Sequence, residues 1–295
     1  MFRIVFHKVF IIHDKLCRQG LFYFNVYGTG TISIIYEDYY KYDKYQKGDL
    51  RMYTGNYECL ELFVKPDEGK KGSVLLKNVK ESTTETKELK HIYGNWIKFP
   101  VSRNTEYEIS TQDCTITFAY LSECENIMEN GICVLDTTDN YKEMNKEEFL
   151  HFIDTPYREQ YHFSPVVNWN NDPNGLCWFK GYYHLFYQMN PFGQEWNNMY
   201  WGHAASKDLV HWTHLPVVLE PQEEILDNLA IKGGAFSGSA LPMGDEVYFY
   251  LTRHIGPQDD GWDTIQYQTM TKSSDMIHFE PEKEIIREKP EGTNY

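Results

Sequence analysis

The chain has 295 residues, of which 41% are hydrophobic and 16% aromatic, and its formal net charge is −15. This acidity disfavours nucleic-acid binding, because neutralising phosphates requires clustered Lys and Arg side chains. No apolar run approaches the roughly 20 residues that cross a bilayer, so we expect no membrane-spanning segment and no membrane partner.

The opening segment, MFRIVFHKVFIIHDKL, is interrupted by Arg3, His7 and Lys8 and has no small-residue cleavage site. We therefore interpret it as a first strand and not as a signal peptide. This interpretation predicts a cytoplasmic location, and an extracellular one stays open.

Cysteines and histidines give no sign of a metal site. The six cysteines contain no Cys-x-x-Cys pair and are interpreted as buried reduced thiols. They are Cys17, Cys59, Cys114, Cys124, Cys133 and Cys177. His203, His211 and His214 show no recurring ligand spacing and are interpreted as packing and strand-end residues. The acidic segment 259–263 is interpreted as a solvated turn, with calcium binding as the lesser alternative. We expect neither a metal nor a cofactor.

Residues 1–143 consist of short β-branched and aromatic runs separated by glycine-rich and polar breakers, as in LFYFNVYG, YECLELFV and TITFAYL. Such spacing without a helical period predicts strands of a β-sandwich-like accessory module. Its role would be packing or carbohydrate contact, since its residues form no catalytic constellation.

The pattern changes at residues 144–160, where Asn145 and Glu148 suit the capping box of a short helix in a linker. From residue 161 onward strands return, with a hairpin that turns at Lys180 and Gly181. Repeated four-stranded units predict about two blades of a β-propeller. The predicted fold class is therefore all-β.

The most informative segment is HFSPVVNWNNDPNG, residues 162–175. Pro173 biases Asp172 toward an extended backbone, and Asn174-Gly175 favours a turn. We expect the Asp172 carboxylate at a strand end, with the Asn171 amide beside it. By itself, Asp-Pro-Asn-Gly would indicate only a turn.

Three further motifs follow in order: FYQMNPFGQEW (186–196), MYWGHAASKDLVHW (199–212) and FSGSA (236–240). With Asn-Asp-Pro-Asn-Gly, this succession resembles glycoside hydrolase family 32, which comprises invertases, levanases, inulinases and sucrose-6-phosphate hydrolases. The resemblance spans 161–295. It implies the N-terminal part of a five-bladed propeller and retaining cleavage of terminal β-fructofuranosyl bonds in sucrose, inulin or levan, without a cofactor.

The resemblance also implies roles for individual residues. The nucleophile is Asp172, and the substrate-binding residues are Asn171, Gln188, Trp196, Phe236, Ser237 and Trp169. Alternatively, Trp169 and Phe236 are core residues and Gln188 is an ordinary strand residue. One departure from the family pattern is Asn170, where many relatives carry Met, which would alter the pocket rim more than the chemistry.

Two other family carboxylates have no counterpart. The family also uses the Asp of an Arg-Asp-Pro motif and the Glu of a Glu-Cys motif, and both follow the FSGS segment. Arg-Asp-Pro does not occur in this sequence, and Glu58-Cys59 and Glu123-Cys124 precede Asp172 and are interpreted as chance dipeptides. The segment PVVLEPQEE, with Glu220, Glu223 and Glu224, is interpreted as an ordinary loop. The chain would thus end before a complete catalytic apparatus and alone hydrolyse little or nothing.

Other functions stay open at this stage. One is a non-catalytic sugar-binding protein that keeps half of the fructosyl pocket. Another is a related five-bladed enzyme of the levansucrase or arabinanase type. A third is half of a split enzyme whose partner is a complementing polypeptide that carries the missing motifs.

Overall fold

The computed structural model describes residues 22–26, 32–36, 50–137, 142–144, 148–149, 153–154, 158–159, 161–259 and 264–288. The chain divides into two units, residues 1–46 and 47–295. In the first unit, β1 (Phe22–Val26) and β2 (Ile32–Tyr36) pair as an antiparallel hairpin. The predicted opening strand, Cys17, the capping residue Asn145 and most of segment 259–263 lie outside the described residues. The predicted boundary at 144–160 stays a prediction.

Residues 50–143 contribute two antiparallel sheets. Their strands are β3 (Leu50–Tyr53), β4 (Cys59–Pro66), β5 (Ser73–Asn78), β6 (Thr84–Glu88), β7 (Asn95–Pro100), β8 (Glu106–Gln112), β9 (Cys114–Ser122), β10 (Cys133–Asp136) and β11 (Lys142–Glu143). The sheet orders are β3-β8-β5-β6 and β11-β10-β9-β4-β7. Leu62 and Val64 of β4 pack with Val74 and Leu76 of β5 and Ile109 of β8 in one buried core. This arrangement confirms the predicted β-sandwich.

Among the strands of the sandwich that were missed, one is polar and another is short. β6 has the sequence TETKE and is mostly exposed, and β3 alternates between buried and exposed residues over only four positions. Both lie at an edge of the sheet, where backbone pairing with one neighbour suffices to hold a strand. Hydrophobic alternation therefore gives little signal there.

Residues 169–286 form two four-stranded antiparallel meanders. The strands are β12 (Trp169–Phe179), β13 (Tyr182–Asn190), β14 (Tyr200–Ser206), β15 (Trp212–Leu219), β16 (Ile231–Met243), β17 (Glu246–Pro257), β18 (Ile265–Ser273) and β19 (Lys283–Ile286). Each sheet keeps its strands in chain order, β12-β13-β14-β15 and β16-β17-β18-β19, as in a propeller blade. The prediction of about two blades is confirmed for the described residues.

The hairpin between β12 and β13 turns at Lys180 and Gly181, as predicted, and both residues have positive φ, 46° and 87°. Positive φ at both central positions is the requirement of a tight hairpin turn of type I′. The turn expected at Asn174-Gly175 is wrong. There β12 continues, and its pairing with β13 shifts register between Asn174 and Cys177. Gly175 absorbs this irregularity with φ 54°.

The first blade is buried on both faces. Leu185, Tyr187 and Met189 of β13 pack against Phe63 and Phe118 of the sandwich. On the opposite face, Phe186 and Trp201 pack against Phe249 of the second blade. Because side chains alternate between the faces of a strand, consecutive residues of β13 serve the two interfaces.

Two other expectations need correction. The segment PVVLEPQEE is not simply a loop: Pro216–Leu219 end strand β15, and Glu223–Leu226 form a short helix. A β-branched run before the polar residues explains the strand. Among the cysteines, Cys114 is buried but Cys124 is exposed and the others are half-buried, so not all described thiols are buried. The described helices include none long and apolar enough to cross a membrane.

Candidate functional site

Asp172 lies on β12 with an exposed carboxylate, beside the start of the second blade. The Ser237 hydroxyl of β16 donates a hydrogen bond to Asp172 Oδ2 over 2.9 Å. The Asn-Asp-Pro-Asn-Gly and Phe-Ser-Gly-Ser motifs, 65 positions apart at these residues, therefore meet where the two blades join.

The irregular course of β12 brings these two motifs together. Register shifts between Asn170 and Pro173 and after Asn174 bend the strand beside its partner β13. The buried Asn174 side chain accepts a hydrogen bond from the Gly238 backbone N–H over 3.3 Å. At Gly175, an added Cβ would lie 2.8 Å from the Phe186 ring, so the backbone can pass this close only as glycine.

Five of the predicted site residues are joined by one path of hydrogen bonds. Trp169 Nε1 donates to Asn171 Oδ1 over 3.0 Å, and Asn171 Nδ2 donates to Gln188 Oε1 over 2.6 Å. Gln188 Nε2 donates to Ser237 Oγ over 3.3 Å, and Ser237 in turn donates to Asp172. Each amide both donates and accepts, so the path fixes their orientation around the carboxylate.

The remaining two predicted residues, Trp196 and Phe236, form an aromatic wall. Their ring centroids are 6.1 Å apart at an interplanar angle of 67°. Phe236 also stacks on His254, with centroids 4.3 Å apart, and Lys232 Nζ lies 4.5 Å from the Trp196 centroid. His254 and Lys232 were missed by sequence analysis.

Backbone contacts hold the loop that carries Trp196 against the start of β16. Met199 N donates to Gly233 O over 2.6 Å, and Ala235 N donates to Met199 O over 2.9 Å. The buried Asn198 side chain accepts from Gly233 N over 3.1 Å. At Gly234, with φ 113°, a Cβ would lie 2.5 Å from Met199 O. The approach therefore requires glycine.

This geometry combines groups suited to a polyhydroxylated ligand. The exposed carboxylate of Asp172 can attack an electrophilic carbon or accept from a hydroxyl. The half-buried Asn171 amide offers a donor and an acceptor, the buried Gln188 amide orients it, and the rings of Trp196 and Phe236 offer apolar faces.

The histidines near the site serve packing. His203 is fully buried and stacks on Phe186, with centroids 4.1 Å apart, and its Nε2 lies 3.0 Å from His184 Nδ1. Burial lowers the pKa of His203 well below its usual value and that of His184 to about 4. Both rings are therefore neutral at pH 7. Among the described residues, no group of three or more His, Cys, Asp or Glu could hold a metal ion.

Residues 162–295 match the sequence profile of the glycosyl hydrolases family 32 N-terminal domain. This segment belongs to glycoside hydrolase family 32. The match starts close to the segment that carries Asn-Asp-Pro-Asn-Gly and runs through Phe-Ser-Gly-Ser, so the residues that form the site lie inside the family segment.

Curated proteins and solved structures agree with the family profile. The chain is 39% identical over 150 residues to a sucrose-6-phosphate hydrolase of Zymomonas mobilis subsp. mobilis, covering 50% of this chain and 28% of that protein. It is 56% identical over 90 residues to a levanase of Bacillus subtilis, covering 30% of this chain and 12% of that one.

A solved family 32 structure from Bifidobacterium adolescentis matches with a TM-score of 0.74 at 32% identity, covering 82% of this chain and 40% of that chain. This coverage exceeds the family segment, so the similarity extends into the sandwich. The chain thus spans less than half the length of these relatives.

Proposed function

We propose that this chain is part of a β-fructofuranosidase that cleaves terminal β-fructofuranosyl bonds with retention, using Asp172 as nucleophile. The observation that carries the proposal is the hydrogen-bond path from Trp169 to Asp172. It gathers residues from three motifs of a family 32 segment around one exposed carboxylate. Relatives named for sucrose-6-phosphate, levan and inulin support a neutral or phosphorylated fructoside as substrate.

In this mechanism Asp172 attacks the anomeric carbon of the fructosyl unit, and the bond to the leaving oxygen breaks as a glycosyl ester forms. A second carboxyl group, about 5–5.5 Å from the first, protonates the leaving oxygen and then activates the water that releases fructose. Asn171, Gln188 and Ser237 would hold fructosyl hydroxyls, while Trp196 and Phe236 exclude water from one side.

The test is fructose release from sucrose, inulin and levan by the 295-residue chain, beside a chain continued through any downstream coding sequence. We expect turnover only from the longer form, and Asp172→Asn should lower its rate by at least about 10³-fold. Wild-type turnover that survives in Asp172→Asn would remove Asp172 from the catalytic role. Sugar binding without turnover in either form would favour the non-catalytic reading.

A second candidate is completion by another polypeptide that covers an exposed apolar surface of the second blade. Leu241 and Met243 of β16 and Tyr250 of β17 are 50%, 56% and 38% exposed. They lie on the face opposite the one that Phe249 and Leu251 bury against the first blade. Exposed apolar surface of this kind marks interfaces. We propose that further blades cover it, in the same or a complementing chain.

Co-expression tests this second candidate. A separate polypeptide that carries an Arg-Asp-Pro motif should co-purify with the 295-residue chain and restore fructose release. Leu241→Glu should abolish both the co-purification and the activity. Activity without any added polypeptide would exclude a split enzyme. The cytoplasmic location stays a proposal that fractionation of cells would test.

A further inference from the structure

A cavity of about 660 Å³ lies between the sandwich and the two blades, and Asp172 is not among its lining residues. Glu61 and Lys98 line it from the sandwich, and Tyr182 and Val217 line it from the first blade. Its volume lies within the range of about 300–1,000 Å³ typical of small-molecule sites.

Glu61 is the buried charged group of this cavity, with 3% of its surface exposed. Trp96 Nε1 donates to its Oε2 over 2.7 Å, and the Tyr120 hydroxyl donates to the same atom over 2.9 Å. Tyr120 is itself held by the Val217 backbone N–H, which donates to the phenol oxygen over 3.1 Å. The orientation of the carboxylate is therefore fixed from both the sandwich and the blade.

The other oxygen of Glu61 is available to a ligand. Lys98 Nζ lies 3.4 Å from Oε2, so every hydrogen bond and ion pair of Glu61 within the described part of the chain uses that oxygen. Oε1 is not among the buried side-chain atoms that lack a partner in the described part of the chain, so this oxygen is accessible and can accept a hydrogen bond from a bound molecule. Since Glu61 lines the cavity, a ligand there can supply the donor.

The charges that line the cavity decide which class of ligand fits. Three further carboxylates line it and already accept hydrogen bonds from protein donors: Glu123 from Asn130, Glu129 from Lys207, and Asp275 from the His278 backbone N–H. Lys98 is the cation that faces Glu61. Its ammonium lies 3.9 Å from the Trp96 centroid with about half of its side chain exposed, and it balances the charge of Glu61. The ammonium group of Lys98 would repel a cationic ligand. In a neutral sugar, one hydroxyl can donate to Glu61 and another can accept from Lys98. Pro216, Val217 and Ile127 add an apolar wall suited to the C–H face of a sugar ring.

We propose that this cavity is a second carbohydrate site, which binds a neutral mono- or disaccharide through Glu61 Oε1 and Lys98 Nζ. The site is independent of the fructosyl site around Asp172 and of whether that site turns over its substrate. The ligand class follows from the paired charges and from the mixture of polar and apolar walls.

Fluorine NMR of the full 295-residue chain labelled with 5-fluorotryptophan tests the proposal. The chain has seven Trp residues, and Trp96→Phe identifies the resonance next to Glu61. Sucrose should shift the Trp96 resonance saturably. Glu61→Gln should weaken the apparent affinity about tenfold, as expected for losing a charged hydrogen bond. Lys98→Met, which keeps the alkyl chain over Trp96, should also weaken it.

The controls separate the two sites. Glu58→Gln, at an exposed ion pair with Arg103, should leave the Trp96 titration unchanged. Trp196→Phe should remove only the response of the fructosyl site. If Glu61→Gln fails to fold, Lys98→Met at its half-exposed position carries the test. The proposal is overturned if sucrose does not shift the Trp96 resonance, or if Lys98→Met binds sucrose as tightly as the wild type. It is also overturned if Trp196→Phe abolishes the Trp96 shift, or if putrescine shifts the Trp96 resonance and sucrose does not.

Discussion

The two blades make the same turn between their third and fourth strands but pack it differently. Ser206-Lys-Asp-Leu-Val-His211 and Ser273-Ser-Asp-Met-Ile-His278 share the pattern Ser-x-Asp-x-x-His. Leu209 N donates to Ser206 Oγ over 2.8 Å, and Met276 N donates to Ser273 Oγ over the same distance.

The aspartates of the two turns also make the same contacts as each other. In each turn the Asp Oδ1 accepts the backbone N–H of the His over 2.8 Å, and Oδ2 lies 2.7 Å from the His ring Nδ1. The fourth residue is left-handed in both, with φ 65° at Leu209 and 70° at Met276. Yet Leu209 is 55% exposed and Met276 only 1%. Local hydrogen bonds therefore set the backbone conformation of the turn. The packing around the turn decides separately whether the side chain at its fourth position is buried.

The largest effect that this comparison predicts is at Met276. Met276 packs with Phe179, Val247 and Phe249 in the core between the blades, so Met276→Ala should lower the free energy of unfolding by about 2–4 kcal/mol. Leu209→Ala is the matched control, with the same backbone conformation at an exposed position, and should change it by less than about 0.5 kcal/mol. Urea unfolding followed by tryptophan fluorescence measures both, and equal losses would contradict the separation of shape from burial.

A smaller effect of opposite sign is expected from glycine. A left-handed conformation costs a residue with a side chain about 1–2 kcal/mol, and glycine avoids this cost. Leu209→Gly should therefore raise the free energy of unfolding by about 0.5–1 kcal/mol, because it loses little buried surface. Met276→Gly should still destabilise, since it loses the core contact. A destabilised Leu209→Gly would show that the leucine side chain, and not the backbone, holds the turn.

The sequence predicts those features of the fold that depend on local signals. Strands with clear alternation, such as β17, and the hairpin at Lys180-Gly181 follow from the sequence, because their period and turn residues are local signals. Asn174-Gly175 carries an equally strong local turn signal, yet pairing with β13 keeps it inside a bulged strand. The pairing of β12 with β13 therefore overrides the local turn signal, and the sequence alone contains no comparable signal for this pairing.

The same distinction holds for functional residues: some are predicted by sequence motifs, and others come together only in the folded chain. The motif residues, Asp172 and Ser237 among them, were predicted and do come together. His254 was missed because it reaches Phe236 only through the pairing of β17 with β16, which places it opposite Gly234. Glu61 was missed because only the folded sandwich brings Trp96 to its carboxylate.

The smallest predicted effect separates the two turn aspartates by pH. At Asp208, hydrogen bonds from the His211 ring and backbone hold the pKa well below its usual value of 3.8. At Asp275, burial works against ionisation, but the bonds from His278 outweigh it and the pKa is still lowered. A carboxyl group with a lowered pKa in the folded state adds stability above pH 3.8, and this stability is lost as the pH falls below that value.

Asn in place of Asp keeps the acceptor for the backbone but cannot titrate. Asp208→Asn should therefore flatten the acid limb of the stability curve more than Asp275→Asn, as urea unfolding between pH 2.5 and about pH 5 would measure. A larger flattening from Asp275→Asn would contradict this order, because it would mean that the pKa of Asp275 is lowered more than that of Asp208 despite the opposing effect of burial.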